Sequence, residues 1–220
     1  MSDVRRAFAQ LYKQGRFTEN GTLEITGADF IADEPSILGK PSDKYIKKEL
    51  DWYLSKERNV KGLEPDIPEI WQEISSPEGK INSNYGWCIF SDENHNQYKG
   101  AVQSLVNDKN SRQAVMIYTR PSMHSDSVRE GMKDFICTNN VQLLIRNQRL
   151  EYHVSMRSND VVFGYNNDYA WHAFVYQKVF LELREKYRNI HKAHIRWHAS
   201  SLHIYERHYG LVSDMIKSWK

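Results

Sequence analysis

The sequence of 220 residues predicts a fold that combines helices and strands, and three observations carry that expectation. Lys133 to His172 reads as two apolar strands around a polar break at Asn147-Gln148-Arg149, then an Asn/Gly-rich turn into a helix. Apolar residues recur at helical spacing over 2–14, 44–57 and 168–187, with further short apolar runs over 22–26, 114–119 and 193–199. With 40% hydrophobic and 26% charged residues, the chain suits one domain spanning residues 1–220 with a sizeable core.

Taken in order, residues 2–14 carry Val4, Phe8, Leu11 and Tyr12 on one helical face. Gly15 and Asn20-Gly21 punctuate the passage to a strand at Thr22–Thr26. Ser42 or Asp43 caps a helix whose expected buried stripe is Tyr45, Ile46, Leu50, Tyr53 and Leu54, with Glu49 beside it. Pro68 and Trp71 lie in 66–76, and Asn82-Ser83-Asn84-Tyr85-Gly86-Trp87 follows. A helix is expected over 93–107, then Ser111-Arg112-Gln113 leading into the strand AVMIYT. If the next strand alternates, Cys137 shares a face with Phe135, Val141, Leu143 and Ile145. The helix starting at Asp168 carries a core stripe of Tyr169, Ala173, Tyr176, Phe180, Leu183 and Tyr187. A strand at Ala193–Ala199 precedes Ser200-Ser201-Leu202-His203-Ile204-Tyr205.

Bulk properties exclude several classes. A net charge of +2 gives no argument for nucleic-acid or membrane binding, and no apolar run approaches the ~20 residues that span a bilayer. The N-terminus lacks the apolar core of a signal peptide. Two cysteines, Cys88 and Cys137, neither build a disulfide framework nor show metal-ligand spacing, so a reducing cytoplasm and no metal are expected. Thirteen Tyr and six Trp fit an aromatic-lined pocket and a flat interface equally well.

A Cys on an apolar strand face is ordinarily an inert packing residue. Here it is followed by Arg157-Ser158-Asn159-Asp160 and then Gly164-Tyr165-Asn166-Asn167-Asp168, a density of polar groups that apolar strands rarely end in unless something polar binds there. This order of residues resembles the thymidylate synthase superfamily. The fragments NSNYGW, VMIYTRPSM, RSNDVVFG and NDYAW, together with SLH-x-Y-x-RH, look like its deoxycytidylate hydroxymethylase branch, found in T-even-like phages. The likeness runs from about Gly21 to Val212. Its mark is Asp168, standing where the synthases have an Asn that reads the pyrimidine.

The resemblance implies a thymidylate synthase-like α/β fold with a large mixed sheet flanked by helices, and a homodimer associating through the sheet, in the cytoplasm of a host cell if the chain is phage-encoded. It implies transfer of a one-carbon unit from 5,10-methylenetetrahydrofolate to C5 of dCMP, then hydration to 5-hydroxymethyl-dCMP, with nucleic acid not required. Cys137 is the implied nucleophile and Glu49 the general acid/base, with Asp168 choosing the base. Substrate contacts fall to Arg112 (reaching the partner's phosphate), Arg157, Ser158, Asp160, Asn167, His203, Tyr205 and Tyr85; the folate side falls to Trp71, Asp160 and Gly164. Read alone, Glu49 is a solvated helical charge, Tyr85 packs, Asp168 caps a helix, and His198 and His208 are structural.

The chain departs from the family in three places. Gln113 replaces the second arginine of a Ser-Arg-Arg motif, and Gln supplies one neutral donor where Arg offers a charged fork. Phe17 occupies the place of a phosphate-holding basic residue; neighbouring Lys13 and Arg16 fit a surface role equally well. The longer tail that closes over ligands in many relatives is not expected. Three alternatives stay open: a dUMP or CMP hydroxymethylase, a methylating synthase of the same fold, and a non-catalytic nucleotide- or RNA-binding protein.

Overall fold

A six-stranded mixed sheet organises the computed structural model, which describes residues 1–219; Lys220, the last residue of the expected domain, lies outside them. In chain order the elements are α1 Ser2–Lys13, β1 Leu23–Ala32, α2 Asp43–Ser55, α3 Glu69–Ile74, α4 Tyr85–Phe90, α5 Gln97–Asn107, β2 Val115–Ile117 and α6 Met123–Glu130. There follow β3 Thr138–Arg146, β4 Arg149–Met156, β5 Asn159–Asp160, α7 Gly164–Lys186, β6 His191–Ile204 and α8 Tyr209–Ser218. The sheet order is β1-β6-β4-β3-β2, with β5 also paired to β6. β4 and β6 run parallel and the other neighbours along that order are antiparallel, so α7 is the crossover of a strand–helix–strand unit.

The hairpin joining β3 to β4 is where local chemistry rules. Asn147 and Gln148 both adopt positive φ, 49° and 59°, and Arg146 faces Arg149 across a two-residue turn whose twist matches the strands. Alternation then buries Val141, Leu143 and Ile145 on β3, and Leu150, Tyr152, Val154 and Met156 on β4. Trp171, Val175, Tyr176, Val179 and Leu183 of α7 join the same core, each worth about 1.5–3 kcal/mol when fully buried. The opposite face, Asn140, Gln142 and Leu144 with Glu151, His153 and Ser155, is half-buried.

Several expectations shift. α7 starts at Gly164, a full turn before Asp168, and its buried face is led by Trp171 and His172; Tyr169, Ala173, Phe180 and Tyr187 are only partly covered. On α2 the buried residues are Glu49, Trp52 and Tyr53, whereas Leu54 is exposed; the helix packs on α4 and α7 rather than on the sheet. Ser42 is its cap, accepting from the Tyr45 amide. The helix expected over 93–107 begins at Gln97, and α6 has no counterpart among the expected elements. No helix among the described residues is long and apolar enough to cross a membrane.

α2 and α4 approach so closely that a Cβ on Gly86 would lie 1.8 Å from the Tyr53 carbonyl oxygen. Gly86→Ala is expected to destabilise by about 3 kcal/mol, because backbone cannot yield as a side chain does. Chemical denaturation would read this as a lower midpoint at unchanged slope; an unaltered midpoint would mean the helices are free to separate.

Candidate active site

The start of β3 and the ends of β4 and β6 coincide, because β3 runs opposite to its parallel neighbours. The Arg157 amide donates to the Cys137 carbonyl (2.9 Å), the Ser201 amide to the Arg157 carbonyl (3.2 Å), and Asp160 faces His203 across β5 and β6. One edge of the sheet thus gathers Cys137, Arg157, Ser158, Asp160 and His203, and α2, α4 and α7 bring Glu49, Tyr85 and Asp168 to it.

Cys137 is not a strand residue. β3 begins at Thr138, and a register shift between Thr138 and Asn140 puts Thr138, rather than Cys137, in line with Val141. The loop before it is held by Asp134, a buried carboxylate accepting from the Asn82 amide (2.7 Å), the Ser83 amide (2.7 Å) and the Ser83 hydroxyl (2.6 Å). Arg157 donates to the Ile136 carbonyl (3.0 Å) and the Phe135 carbonyl and lies 3.8 Å from the Cys137 sulfur. Burial pushes the thiol up to about 12, against the opposing pull of the Arg157 charge. At neutral pH the resting sulfur therefore carries its proton.

Glu49 is 4% exposed and its pKa is pushed up to about 8, chiefly by burial. Its carboxyl accepts from the Tyr45 hydroxyl (2.9 Å), which accepts in turn from the Trp71 indole (2.8 Å). Trp71 meets Trp52 edge-on at 5.3 Å and leaves part of its ring uncovered.

Asp168 is half-buried, and the protein packed around its carboxyl raises its pKa to about 7. Both its oxygens are held: the Tyr85 hydroxyl donates to Oδ1 (3.1 Å) and the Asn159 amide to Oδ2 (2.8 Å). The chain continues through Thr138, whose hydroxyl donates to Tyr85 (3.1 Å) and meets His172 (3.4 Å), whose other nitrogen meets Tyr152 (3.1 Å). Burial lowers His172 to about 3, so it is neutral. Tyr85 also stacks on Tyr53 at 5.0 Å. Asp168 is not a helix cap: α7 begins at Gly164, its cap position is Phe163, and Asp160 accepts from the amides of Val162, Phe163 and Gly164 in the turn that leads into it. Gly164 leaves room there: a Cβ would sit 3.4 Å from the Asn159 side chain and 3.8 Å from Asp168. Asn167, half-buried, is one turn further along the same helix.

His203 is buried, and that burial lowers its pKa; its ring meets Ser201 (3.3 Å) and the exposed Tyr205 edge-on at 5.0 Å. The charges of Asp160 and Arg157 act on both. Arg112 stands apart, exposed with Gln113 on a separate concavity that also includes Ser104, Asn107 and Ser111. Lys13 and Arg16 are exposed too, while Phe17 packs on Tyr209 at 5.1 Å. Sequence reasoning missed Tyr45, Asn159, Thr138 and Asp134. Tyr45 was detectable, being four residues before Glu49 on one helix; Asp134 was not, since its partners are 51 and 52 residues away.

Fold and site together define a member of the thymidylate synthase family, and the chain belongs to it: the family's sequence pattern matches residues 38–219. Among its relatives is the deoxycytidylate 5-hydroxymethyltransferase of Enterobacteria phage T4, 48% identical over 199 residues, or 90% of this chain and 81% of the relative. The enzyme of that name from phage T2 is 49% identical over 193 residues, 87% and 78% of the two chains. The thymidylate synthase of Corynebacterium aurimucosum is 25% identical over 227 residues, 97% and 80%. The solved thermostable thymidylate synthase A of Bacillus subtilis shares the fold, with a TM-score of 0.63 at 21% identity over 86% of this chain and 68% of that one.

Proposed function

We propose that this chain is a single-domain deoxycytidylate 5-hydroxymethyltransferase, converting dCMP to 5-hydroxymethyl-dCMP. The observation that carries the reading is Asp168: a carboxyl group, where the resemblance puts the reader of the pyrimidine, held by Tyr85 and Asn159 and raised by burial to about 7. Near-half identity to phage enzymes of that name supports it.

C5 of cytosine is a poor nucleophile until sulfur adds to C6. Cys137 gives its proton to water and bonds to C6, with Arg157 stabilising the thiolate and the substrate phosphate, and the ring electrons then make C5 the attacking carbon. 5,10-Methylenetetrahydrofolate, when bound, supplies the one-carbon electrophile. Trp71 offers half-buried aromatic surface for it on the Glu49 side, and Gly164 and Asp160 lie beside Asp168 at the start of α7. Glu49, through water, moves the C5 proton to the folate nitrogen as the bond from that nitrogen to the one-carbon unit breaks; tetrahydrofolate leaves, an exocyclic methylene remains on the base, and Glu49 is again a free carboxylate. Water adds to that carbon, its proton passing to Glu49; the π electrons shift to re-form C5=C6, and the sulfur of Cys137 leaves. Asp168 accepts from the cytosine amine and, protonated, donates to N3. His203 and Tyr205 hold the sugar hydroxyl, Ser158, Asn167 and Tyr85 line the base side, and no metal takes part. Two chains pair through the half-buried sheet face, each lending Arg112 to its partner's phosphate.

Incubation with methylenetetrahydrofolate and, separately, dCMP, CMP and dUMP, followed by mass spectrometry, tests this. A hydroxymethylated product from dCMP alone is expected. A methylated product, or turnover of dUMP instead, would overturn the reading; nucleotide binding without product would leave a binding protein.

A further inference from the structure

The Trp71–Tyr45–Glu49 chain has a direction that its donors impose. An indole N–H donates and accepts nothing, so the 2.8 Å contact uses an acceptor site of the Tyr45 oxygen. The single Tyr45 hydrogen then points at Glu49 Oε1, 2.9 Å away. Were Oε1 to carry the proton instead, Tyr45 would accept twice and its own hydrogen would lose its partner in a half-buried site, which costs free energy. Oε1 is therefore kept as an acceptor. The Trp71 indole is also near enough to the Glu49 carboxyl to favour its ionised form, but its 2.8 Å contact is to Tyr45; no hydrogen bond within 3.5 Å reaches Oε2 among the described residues, nor is it among the fully enclosed unpartnered atoms.

We propose that Tyr45 is a positioning residue that fixes the rotamer of Glu49 and confines its exchangeable proton to Oε2, the oxygen left for water in the cleft. The inference rests on Glu49 being the acid/base of the proposed reaction. Tyr45 and Tyr53 of α2 and Asp168 of α7 are the titratable groups whose charges or hydrogen bonds bear on Glu49. With Tyr45 in place, proton transfer to and from water runs through one oxygen at one orientation. Without it, Glu49 can turn either oxygen away from the substrate, and it loses a donor that favours its ionised form.

Tyr45→Phe is expected to lower kcat about tenfold with KM for dCMP within about twofold, and to move the pH limb belonging to Glu49 upward by about one unit, a tenfold change in ionised fraction. The readouts are the pH profiles of tritium release from dCMP labelled at C5 and of hydroxymethylated product. Trp71→Phe, which keeps the phenol but frees its acceptor site, is expected to shift the limb the same way by less, with KM for the folate raised as well. Tyr45→Phe is decisive if it folds and binds dCMP; Trp71→Phe takes its place otherwise. A profile superimposable on that of the parent, whatever the rate, would overturn the proposal. Glu49→Gln separates the two layers: if it leaves tritium release intact, the acid/base reading of Glu49 itself fails, whereas loss of release with an unmoved limb in Tyr45→Phe defeats only the role of Tyr45.

Discussion

Replacing Cys137 by serine is expected to lower dCMP hydroxymethylation by roughly 10⁴-fold or more, the scale on which an enzyme loses its nucleophile. The oxygen is a harder nucleophile and a much weaker acid than the thiol, so it cannot add reversibly at C6. The surroundings of Cys137 sharpen the expectation. Its thiol is already pushed up to about 12 by burial, and only the Arg157 guanidinium, 3.8 Å away, works against that. Serine gains too little from one cation to become nucleophilic. The Asp134 anchor and the Arg157 contacts to the loop carbonyls do not involve the sulfur, so the variant should fold and still bind dCMP. Equilibrium binding of dCMP, beside tritium release from the C5-labelled nucleotide, checks both halves. Release at more than about a hundredth of the parent rate would mean that Cys137 is not the attacking group.

Asp168→Asn should invert the choice of base. Cytosine offers an amine donor and a bare N3, whereas uracil offers O4 and an N3–H, so an amide that donates to O4 and accepts from N3–H suits uracil. Each mismatched buried pair costs about 1–3 kcal/mol, so the ratio of kcat/KM for dCMP over dUMP is expected to fall ~10- to 100-fold. The site can accept the change locally. Tyr85 still has an oxygen to donate to, and the Asn159 side chain, whose Oδ1 is buried without a partner, can turn over to accept from the new amide. An unchanged ratio would place base choice elsewhere.

The same substitution has a pH signature. With Asp168 pushed up to about 7, the proton offered to N3 is present below that pH and lost above it, so dCMP turnover should decline as pH rises through 7. The Asn variant should lack that limb. Stability follows the same linkage. A carboxyl raised from 3.8 to about 7 contributes fully below pH 4, and that contribution is lost as pH rises through 7. Thermal melts at pH 5 and pH 8 should accordingly show the parent losing more stability than Asp168→Asn. Equal losses would mean that Asp168 is ionised throughout.

Much of this was legible because it is local. The Asn147-Gln148 turn, the Ser42 cap and the alternation along β3 and β4 depend on residues within a few positions of one another. So does the Arg157–Asp160 run, whose density of polar groups on an apolar strand pointed to a binding edge. Glu49 was legible only through the resemblance, since nothing in its own neighbourhood separates it from a solvated charge. The errors are equally physical. A one-residue bulge removed Cys137 from the strand and exchanged it for Thr138, an event that strict alternation cannot register. Asp168 is no helix cap because α7 starts four residues earlier than its apolar period implies, and Asp160 instead holds the turn before it.

The sequence by itself thus determined which residue types are available and the family they belong to. It placed a soft nucleophile, two carboxyl groups and an arginine in a fold that brings strand ends together. Tertiary structure alone decided their ionisation and orientation. Burial at the meeting of α2, α4, α7 and the sheet edge raises Glu49 to about 8 and Asp168 to about 7. The donors that aim them come from up to 83 residues away, Tyr85 to Asp168 and Trp71 through Tyr45 to Glu49. Desolvation and hydrogen-bond direction are properties of the packed whole, and no window of the chain contains them.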